Sequence, residues 1–540
     1  MLYRFLYLLI FLFSTETVFS QEIQRPKLVV GIVIDQMRYE YLYRFNRYYC
    51  RDGFNKLLNN GTNFTFAHYN YVPTTTAPGH ASIYTGTTPA YHGIIANDFY
   101  DRQLHKIVNA VSDSTRKSIG STDHQGEISP YRLLSTTITD QLKLATMGVS
   151  KVISVSLKDR AAVLPGGHMA NAAYWYDNQT GDIISSSYYM NELPLYVNEF
   201  NKRRSANKYL SKGWSLSLPI KDYSNCSPDK SQYKDDMLNE GTTYLLHNFN
   251  NLENKIKYEA IETSPFGNQL VEELAKSVLI NENLGKGNET DFLAISFSST
   301  DHVGHEYGTY SMETEDIYIK LDSLLDDFLN ILDKQVGENN YLLFLTADHG
   351  ALETPSYLKD NNLPVGELNT KQFSSSLKSF IAKKYGDEKL IENISNKQIF
   401  FNRSIIEKNN LDIHLIEQSV ADYLRDTFPS IMAIFTRDVL ENNIPSREST
   451  NLTLNGFNPV LSGDVAFTLK PGYLLNYQEK GTTHSASYSY DTHVPMIFYG
   501  WHIPKQIINT PVYTIDIAPT IADLLKITEP SASIGIPLIK

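Results

Sequence analysis

Three apolar runs in this chain each end in an acid, and that repetition limits the fold more than any other feature. Lys27 to Asp35 reads Lys-Leu-Val-Val-Gly-Ile-Val-Ile-Asp. Phe292 to Phe297 leads into Ser298-Ser299-Thr300-Asp301-His302-Val303-Gly304-His305, and Tyr341 to Leu345 runs through Thr346-Ala347 into Asp348-His349-Gly350. A short apolar run bounded by polar residues is the pattern of a strand buried on both faces, as in a parallel sheet covered by helices. In open α/β sheets, sites form beyond the carboxyl ends of the strands. Three strands finishing this way describe one shared crevice, and the expected fold class is α/β.

What those strands deliver is chemically specific. Asp301 and His305 stand four residues apart, so a turn or helix start can point both one way. Asp348 and His349 are adjacent and would diverge on a regular strand; they converge only where the chain has left strand geometry, which Gly350 eases. A carboxylate with an imidazole suits zinc. Singly, an Asp after a strand is usually a helix N-cap, and a lone His is usually structural, but caps do not explain the joint pattern. In Val72-Pro73-Thr74-Thr75-Thr76-Ala77-Pro78-Gly79-His80, a hydroxyl residue precedes an Ala-Pro helix start, at a positive helix end that favours anions. Alone, Thr74 to Thr76 read as caps and turn formers. Together, Asp35, Thr76, Asp301, His305, Asp348, His349 and His484 have the chemistry of two zinc sites around one nucleophile, a metallohydrolase.

Asp35, the Thr76-Ala-Pro-Gly-His80 segment, the Asp301 to His305 spacing, Asp348-His349-Gly350 and Gly481-Thr482-Thr483-His484 resemble the alkaline phosphatase superfamily. Within it, the chain is similar to the phosphate-irrepressible alkaline phosphatase branch, close to the nucleotide pyrophosphatase and phosphodiesterase branch. The resemblance runs from the first strand to the C-terminal helix. It implies a central, mostly parallel sheet flanked by helices, with large insertions capping the site. It also implies two Zn2+ per chain, one held by Asp301, His305 and His484 and the other by Asp35, Asp348 and His349. Thr76 would be the nucleophile, bridging to the second ion and carrying a phosphothreonine intermediate. His493 competes for the third imidazole and ranks below His484, because His493 sits where a strand can start.

In the monoesterase branch the transferred group meets an Asn and a Lys-x-Arg pair, matched here by Asn97 and by Lys158 and Arg160. A monoester dianion carries more charge on its non-bridging oxygens than a diester does. A guanidinium clamps such oxygens bidentately and an ammonium meets them as a point charge. By charge alone, Lys158 and Arg160 would read as surface ion pairs beside Asp159; their place directly after the apolar Val152 to Ser156 run favours the site. The implied activity is that of an alkaline phosphatase acting on a broad range of small-molecule phosphate monoesters. A phosphodiesterase or nucleotide pyrophosphatase would share both zinc sites and Thr76, and the Lys158 and Arg160 pair weighs against it. A non-catalytic metal or phosphate-ester binding protein would have lost the nucleophile or a ligand, and none is missing.

The ligands span Asp35 to His484, so the 540 residues are best read as one large domain over 21–540, with insertions at about 165–285 and 355–480. Residues 1–20, with Arg4 ahead of the apolar Phe5 to Phe13, read as a cleavable signal peptide. That places the product in the periplasm or outside the cell, with no stable membrane anchor. Ile317, Leu321, Leu324, Leu325, Phe328 and Leu332 fall at helical spacing between two ligand-bearing strands. The Tyr174 to Tyr176 cluster is expected to pack rather than to stack on a base. Cys50 and Cys226 are expected to be unpaired, and Cys50 lacks the Cys-x-Pro context that related sulfatases need for their modified nucleophile. A net charge of −12 with no basic run weighs against nucleic-acid binding by bulk electrostatics. The protein is expected to be a monomer.

Overall fold

Leu28–Ile34 is a strand with every residue buried. Leu28, Val30, Ile32 and Ile34 face one core, Val29 and Val33 the other, as befits the middle of a sheet covered on both sides. The strand pairs in parallel with Asp291–Phe297, Ile34 opposite Phe297, and with Tyr341–Thr346, Val33 opposite Thr346. That register brings three carboxyl ends level, so Asp35, Asp301 and Asp348 leave the sheet along one edge. Val152–Ser156 continues in parallel, with Ser156 beside Ser296, and delivers Lys158 to the same edge. Met496–Gly500 is antiparallel, with Met496 opposite Thr346, so the chain arriving from His484 also enters there.

This computed structural model describes residues 24–236, 247–252, 256–476 and 478–539; the segment read as a signal peptide lies outside them. Among the described residues the central sheet has ten strands. Helices Pro265–Asn281 and Met312–Gln335 cover one face through Leu270, Leu274 and Val278 and through Ile317, Leu321, Leu325, Phe328 and Leu332. Thr76–Thr85, Ile138–Ala145 and Ile517–Leu525 cover the other through Ile83, Leu142, Ile521 and Leu525. The fold is thus the α/β arrangement that the strand pattern predicts.

The insertion expected at 165–285 is shorter than its composition suggests. Ala172–Asp177 pairs in parallel with Val152–Ser156, and Asp182–Ser186 pairs antiparallel with it, so both belong to the central sheet. Tyr174 and Tyr176 pack into one core, Ala173 and Trp175 into another. Aromatic residues suit a pleated, buried surface, so a Tyr-rich stretch that looks like an excursion is a strand, and its rings pack as expected. Within the stretch expected as the later insertion there is a separate four-stranded sheet, in the order Ile391–Ser395, Gln398–Phe401, Val465–Leu469, Ile431–Thr436. Helices Thr370–Tyr385 and Ile413–Thr427 cover it around Phe373, Leu377, Ile416, Val420 and Phe467. Cys50 and Cys226 are unpaired.

Candidate active site

Thr76 opens the helix Thr76–Thr85 and is buried. Thr75, at the N-cap, makes no side-chain capping bond, and Thr74 Oγ1 donates instead to Ala486 O at 3.1 Å and Asp491 Oδ2 at 3.3 Å. Thr74 therefore ties the helix start to the Ala486 and Asp491 segment rather than capping it. Gly79 is required here: a Cβ would lie 2.5 Å from Asp348 O, so only glycine lets this helix approach the end of strand Tyr341–Thr346. His80 ties the turn together, its Nδ1 donating to Thr76 O at 2.9 Å while its Nε2 meets Ser296 Oγ at 2.9 Å. Asn97 Oδ1 accepts from Ala77 N at 2.8 Å, which places that amide beside Thr76.

Asp35, Asp348 and His349 each offer a ligand atom within 4.8 Å of the others, as do Asp301, His349 and His484. In the first group Asp35 Oδ1, Asp348 Oδ2 and His349 Nε2 are buried without a hydrogen-bond partner. They face one another, His349 Nε2 lying 3.4 Å from Asp35 Oδ1 and 3.6 Å from Asp348 Oδ2. A buried acceptor left unmatched costs about 1–3 kcal/mol, and three in one cluster fit a shared cation. In the second group Asp301 Oδ1 lies 3.7 Å from His484 Nε2; His305, expected with them, is not in the group, although its Nε2 lies 3.1 Å from the same Asp301 oxygen. His349 stands between the groups, its ring stacked 3.6 Å from that of His484.

All three imidazoles are oriented alike. Nδ1 donates to Thr482 O from His305 at 2.7 Å, to Gly350 O from His349 at 2.9 Å and to Thr74 O from His484 at 2.8 Å. A carbonyl only accepts, so each bond fixes a proton on Nδ1; at His349 and His484 this leaves Nε2 as the lone pair facing the carboxylates, whereas at His305 burial is outweighed by Asp301, which raises that imidazole above its usual range. Burial holds His349 and His484 below the usual imidazole range, which keeps those lone pairs available.

The carboxylates lack charge balance. Burial, then repulsion from Asp301 and Asp348, pushes the Asp35 carboxyl well above its usual range, and burial pushes Asp348 up to about 7. Burial opposes ionisation of Asp301 too, but His305 and Lys158 hold it well below the usual range. The ammonium of Lys158 is inserted among them, 2.6 Å from Asp35 Oδ2 and 2.5 Å from Asp301 Oδ2. One ammonium faces three buried carboxylates. Arg160 takes a different position: Nη1 is 3.5 Å from Asp159 Oδ1, its Nε is buried without a partner, and it lines a cavity of about 450 Å3 with Lys158, Trp175, Glu262 and His302. His493 lies apart from the cluster, stacked between Tyr39 and His68 with its Nε2 3.0 Å from Thr65 O.

Three supporting residues escape sequence reasoning. Gln36, at φ 61°, links two of the clustered carboxylates through Nε2 to Asp301 Oδ1 at 2.5 Å and N to Asp348 Oδ1 at 3.1 Å. Its only sequence signal is that it follows Asp35. Lys397, at the tip of the Ile391–Ser395 and Gln398–Phe401 hairpin, reaches out of the inserted subdomain to Ser485 O at 2.6 Å and Ser485 Oγ at 3.0 Å, beside His484. Asp491 holds the same segment by accepting from Ala486 N at 2.5 Å.

A helix-covered sheet that gathers these carboxylates, imidazoles and a helix-start threonine at one edge defines a class: α/β proteins with a carboxylate–imidazole centre of the kind that holds metal ions. More narrowly, the chain belongs to the type I phosphodiesterase / nucleotide pyrophosphatase family, whose model matches residues 29–494. It is 44% identical to alkaline phosphatase PhoV of Synechococcus elongatus over 96% of this chain and 93% of that one. It is 41% identical to alkaline phosphatase PafA of Elizabethkingia meningoseptica, over 96% and 95% of the two chains. A crystal structure of wild-type PafA superposes with a TM-score of 0.91 at 40% identity, covering 96% of this chain and 99% of that one. A protein of Myroides odoratus described as a calcium-transporting ATPase is 39% identical over 97% and 96% of the two chains.

Proposed function

We propose that this protein is an alkaline phosphatase, a zinc-dependent phosphomonoesterase that works through a phosphothreonine intermediate on Thr76. The observation that carries the reading is the trio of buried, mutually facing acceptors on Asp35, Asp348 and His349, next to a threonine at a helix start. Asp35, Asp348 and His349 would hold one zinc ion; Asp301, His305 and His484 would hold the other. Bound zinc would supply Lewis-acid stabilisation of the attacking and leaving oxygens, so no side chain need be a general acid. Lys158, whose ammonium lies against Asp35 and Asp301, would meet a phosphoryl oxygen together with Arg160 and the Asn97 amide.

Thr76 Oγ1 gives up its proton and forms a bond to phosphorus in line with the departing ester oxygen, whose bond to phosphorus breaks and which takes up a proton and leaves as the alcohol. Water attacks the resulting phosphothreonine, returns the hydroxyl to Thr76 and releases phosphate. The positive helix start favours the anion at each stage. The identity with two proteins named alkaline phosphatases and the cationic Lys158 beside the carboxylates support a monoesterase over a diesterase. Among the described residues no helix is long and apolar enough to cross a membrane. Residues 1–20 read as a signal peptide, which puts the mature enzyme in the periplasm or outside the cell.

The test is hydrolysis of an aryl phosphate monoester and the matching aryl methyl diester, side by side at alkaline pH on zinc-loaded protein. A strong monoester preference is expected, and Arg160→Ala should reduce monoester turnover more than diester turnover. A diester preference would move the enzyme to the phosphodiesterase reading, and activity on neither would return the centre to a binding role.

A further inference from the structure

Far from the sheet edge, on the inserted subdomain, His414, Glu417 and Asp438 each offer a ligand atom within 4.8 Å of the others. His414 and Glu417 are three apart on helix Ile413–Thr427 and so share a face, while Asp438 lies in the first turn of Arg437–Glu441. His414 Nδ1 lies 2.8 Å from Asp438 Oδ2, and their side chains are 61% and 46% exposed. An exposed pair of this kind is ordinary, and alone it would say nothing about a ligand.

Glu417 changes that. It is 1% exposed, yet its Oε2 is buried with no hydrogen-bond partner. Burial, then repulsion from Asp464 and Asp438, pushes the carboxyl up to about 7, against a backbone hydrogen bond from Asp438. Asp464 is not short of donors, because Arg102, Arg403 and Arg437 surround it. Among the described residues no guanidinium pairs with Glu417, and the carboxylate that carries this unpartnered oxygen has an oxygen within 4.8 Å of the ligand atoms of His414 and Asp438. A buried carboxylate is retained where it is paired or coordinates a metal.

We propose that His414, Glu417 and Asp438 form a divalent-cation site, separate from the active centre, that ties helix Ile413–Thr427 to the start of Arg437–Glu441. One imidazole and two carboxylates, with the exposed side left for water, suit a first-row divalent ion such as zinc or manganese. Calcium, which takes six to eight oxygen ligands, fits the imidazole poorly. The site would brace the subdomain from which Lys397 reaches the His484 segment, and it takes no part in hydrolysis.

The test uses full-length, zinc-loaded protein equilibrated at buffered free zinc, with zinc per chain measured for wild type, Glu417→Gln and His414→Gln. Glu417→Gln keeps the volume and the acceptor for Asp438 N; His414→Gln alters an exposed residue and guards against a folding defect in the first variant. Each variant should carry one zinc per chain fewer than wild type, with monoester turnover unchanged. Added zinc should raise the melting temperature of wild type beyond the point at which activity saturates, and this further rise should be lost in both variants. Equal zinc counts in wild type and both variants would overturn the proposal. The measurement is a difference between chains with the same active centre, so it holds whatever that centre binds and whatever it hydrolyses.

Discussion

Asp35 and Asp464 are both buried aspartates, and their surroundings are opposite. Asp464, in the inserted subdomain, lies 2.7 Å from Arg102 Nη2, 2.7 Å from Arg403 Nη2 and 3.2 Å from Arg437 Nε, and accepts from Phe401 N at 2.7 Å. Those partners outweigh burial and hold its carboxyl below the usual range. Asp35 has one ammonium that it shares with Asp301, an oxygen with no partner, and a carboxyl driven well above the usual range. Saturated by protein donors, Asp464 fastens the subdomain to the body through Arg102. Under-partnered, Asp35 suits the cation it is proposed to hold. The state of a buried carboxylate's donors, more than its burial, separates fastening from function.

The most direct way to break this contrast is at Thr76, the residue that the under-partnered cluster is proposed to serve. Thr76→Ala should reduce monoester turnover by on the order of 10^4-fold or more, the scale on which a covalent nucleophile's loss is felt. Zinc per chain should stay at the wild-type value. Near-normal turnover would mean that the cluster works without a threonine nucleophile.

Asp464→Asn tests the other half. Three guanidinium groups would lose their anion, and removing one partner of a buried pair costs about 3–5 kcal/mol. Chemical denaturation of the variant should show that loss, while turnover per folded molecule is retained. A stability change within about 0.5 kcal/mol would mean that the arginines are served by solvent and that Asp464 fastens little.

The legible part of the molecule was the part written in local pattern. Apolar runs closed by Asp35, Asp301 and Asp348 read directly as strands, because burial on both faces leaves an unbroken run and the ligand follows within a few residues. Met312–Gln335 was equally readable from its helical spacing. Gln36 and Lys397 were not, because each acts through a left-handed backbone, at φ 61° and 59°, and through partners distant in the chain. The strand Ala172–Asp177 was hidden by its tyrosines, and the trio of His414, Glu417 and Asp438 by the fold that joins two helices.

Lys397 is where the two regions meet, so it sharpens the comparison. It occupies the second position of a two-residue hairpin turn with Asn396, both at positive φ, where glycine is usual. Ser485, which it holds, is itself at φ 87°. Lys397→Met should weaken zinc binding by about 10-fold, the lower end for residues that orient a metal ligand, as read by chelator competition. If turnover falls while zinc affinity stays fixed, the hairpin acts by some route other than placing His484.

The smallest expected effect has the most telling sign. Asp35→Asn is nearly isosteric and removes a charge that burial and two neighbouring carboxylates oppose. A carboxyl whose folded pKa is raised binds its proton more tightly when folded, so in its ionised form it destabilises the metal-free protein above the ordinary carboxylate range. The metal-free variant should therefore be more stable than metal-free wild type at pH 8, by about 1 kcal/mol once the lost Lys158 contact is set against the relief. The gain should shrink as pH falls toward about 4, where the unfolded carboxyl is also protonated. Zinc should reverse the order, because only wild type keeps the full ligand set and draws binding energy into stability. If Asp35→Asn destabilised the metal-free protein as Asp464→Asn does, the two aspartates would be of one kind.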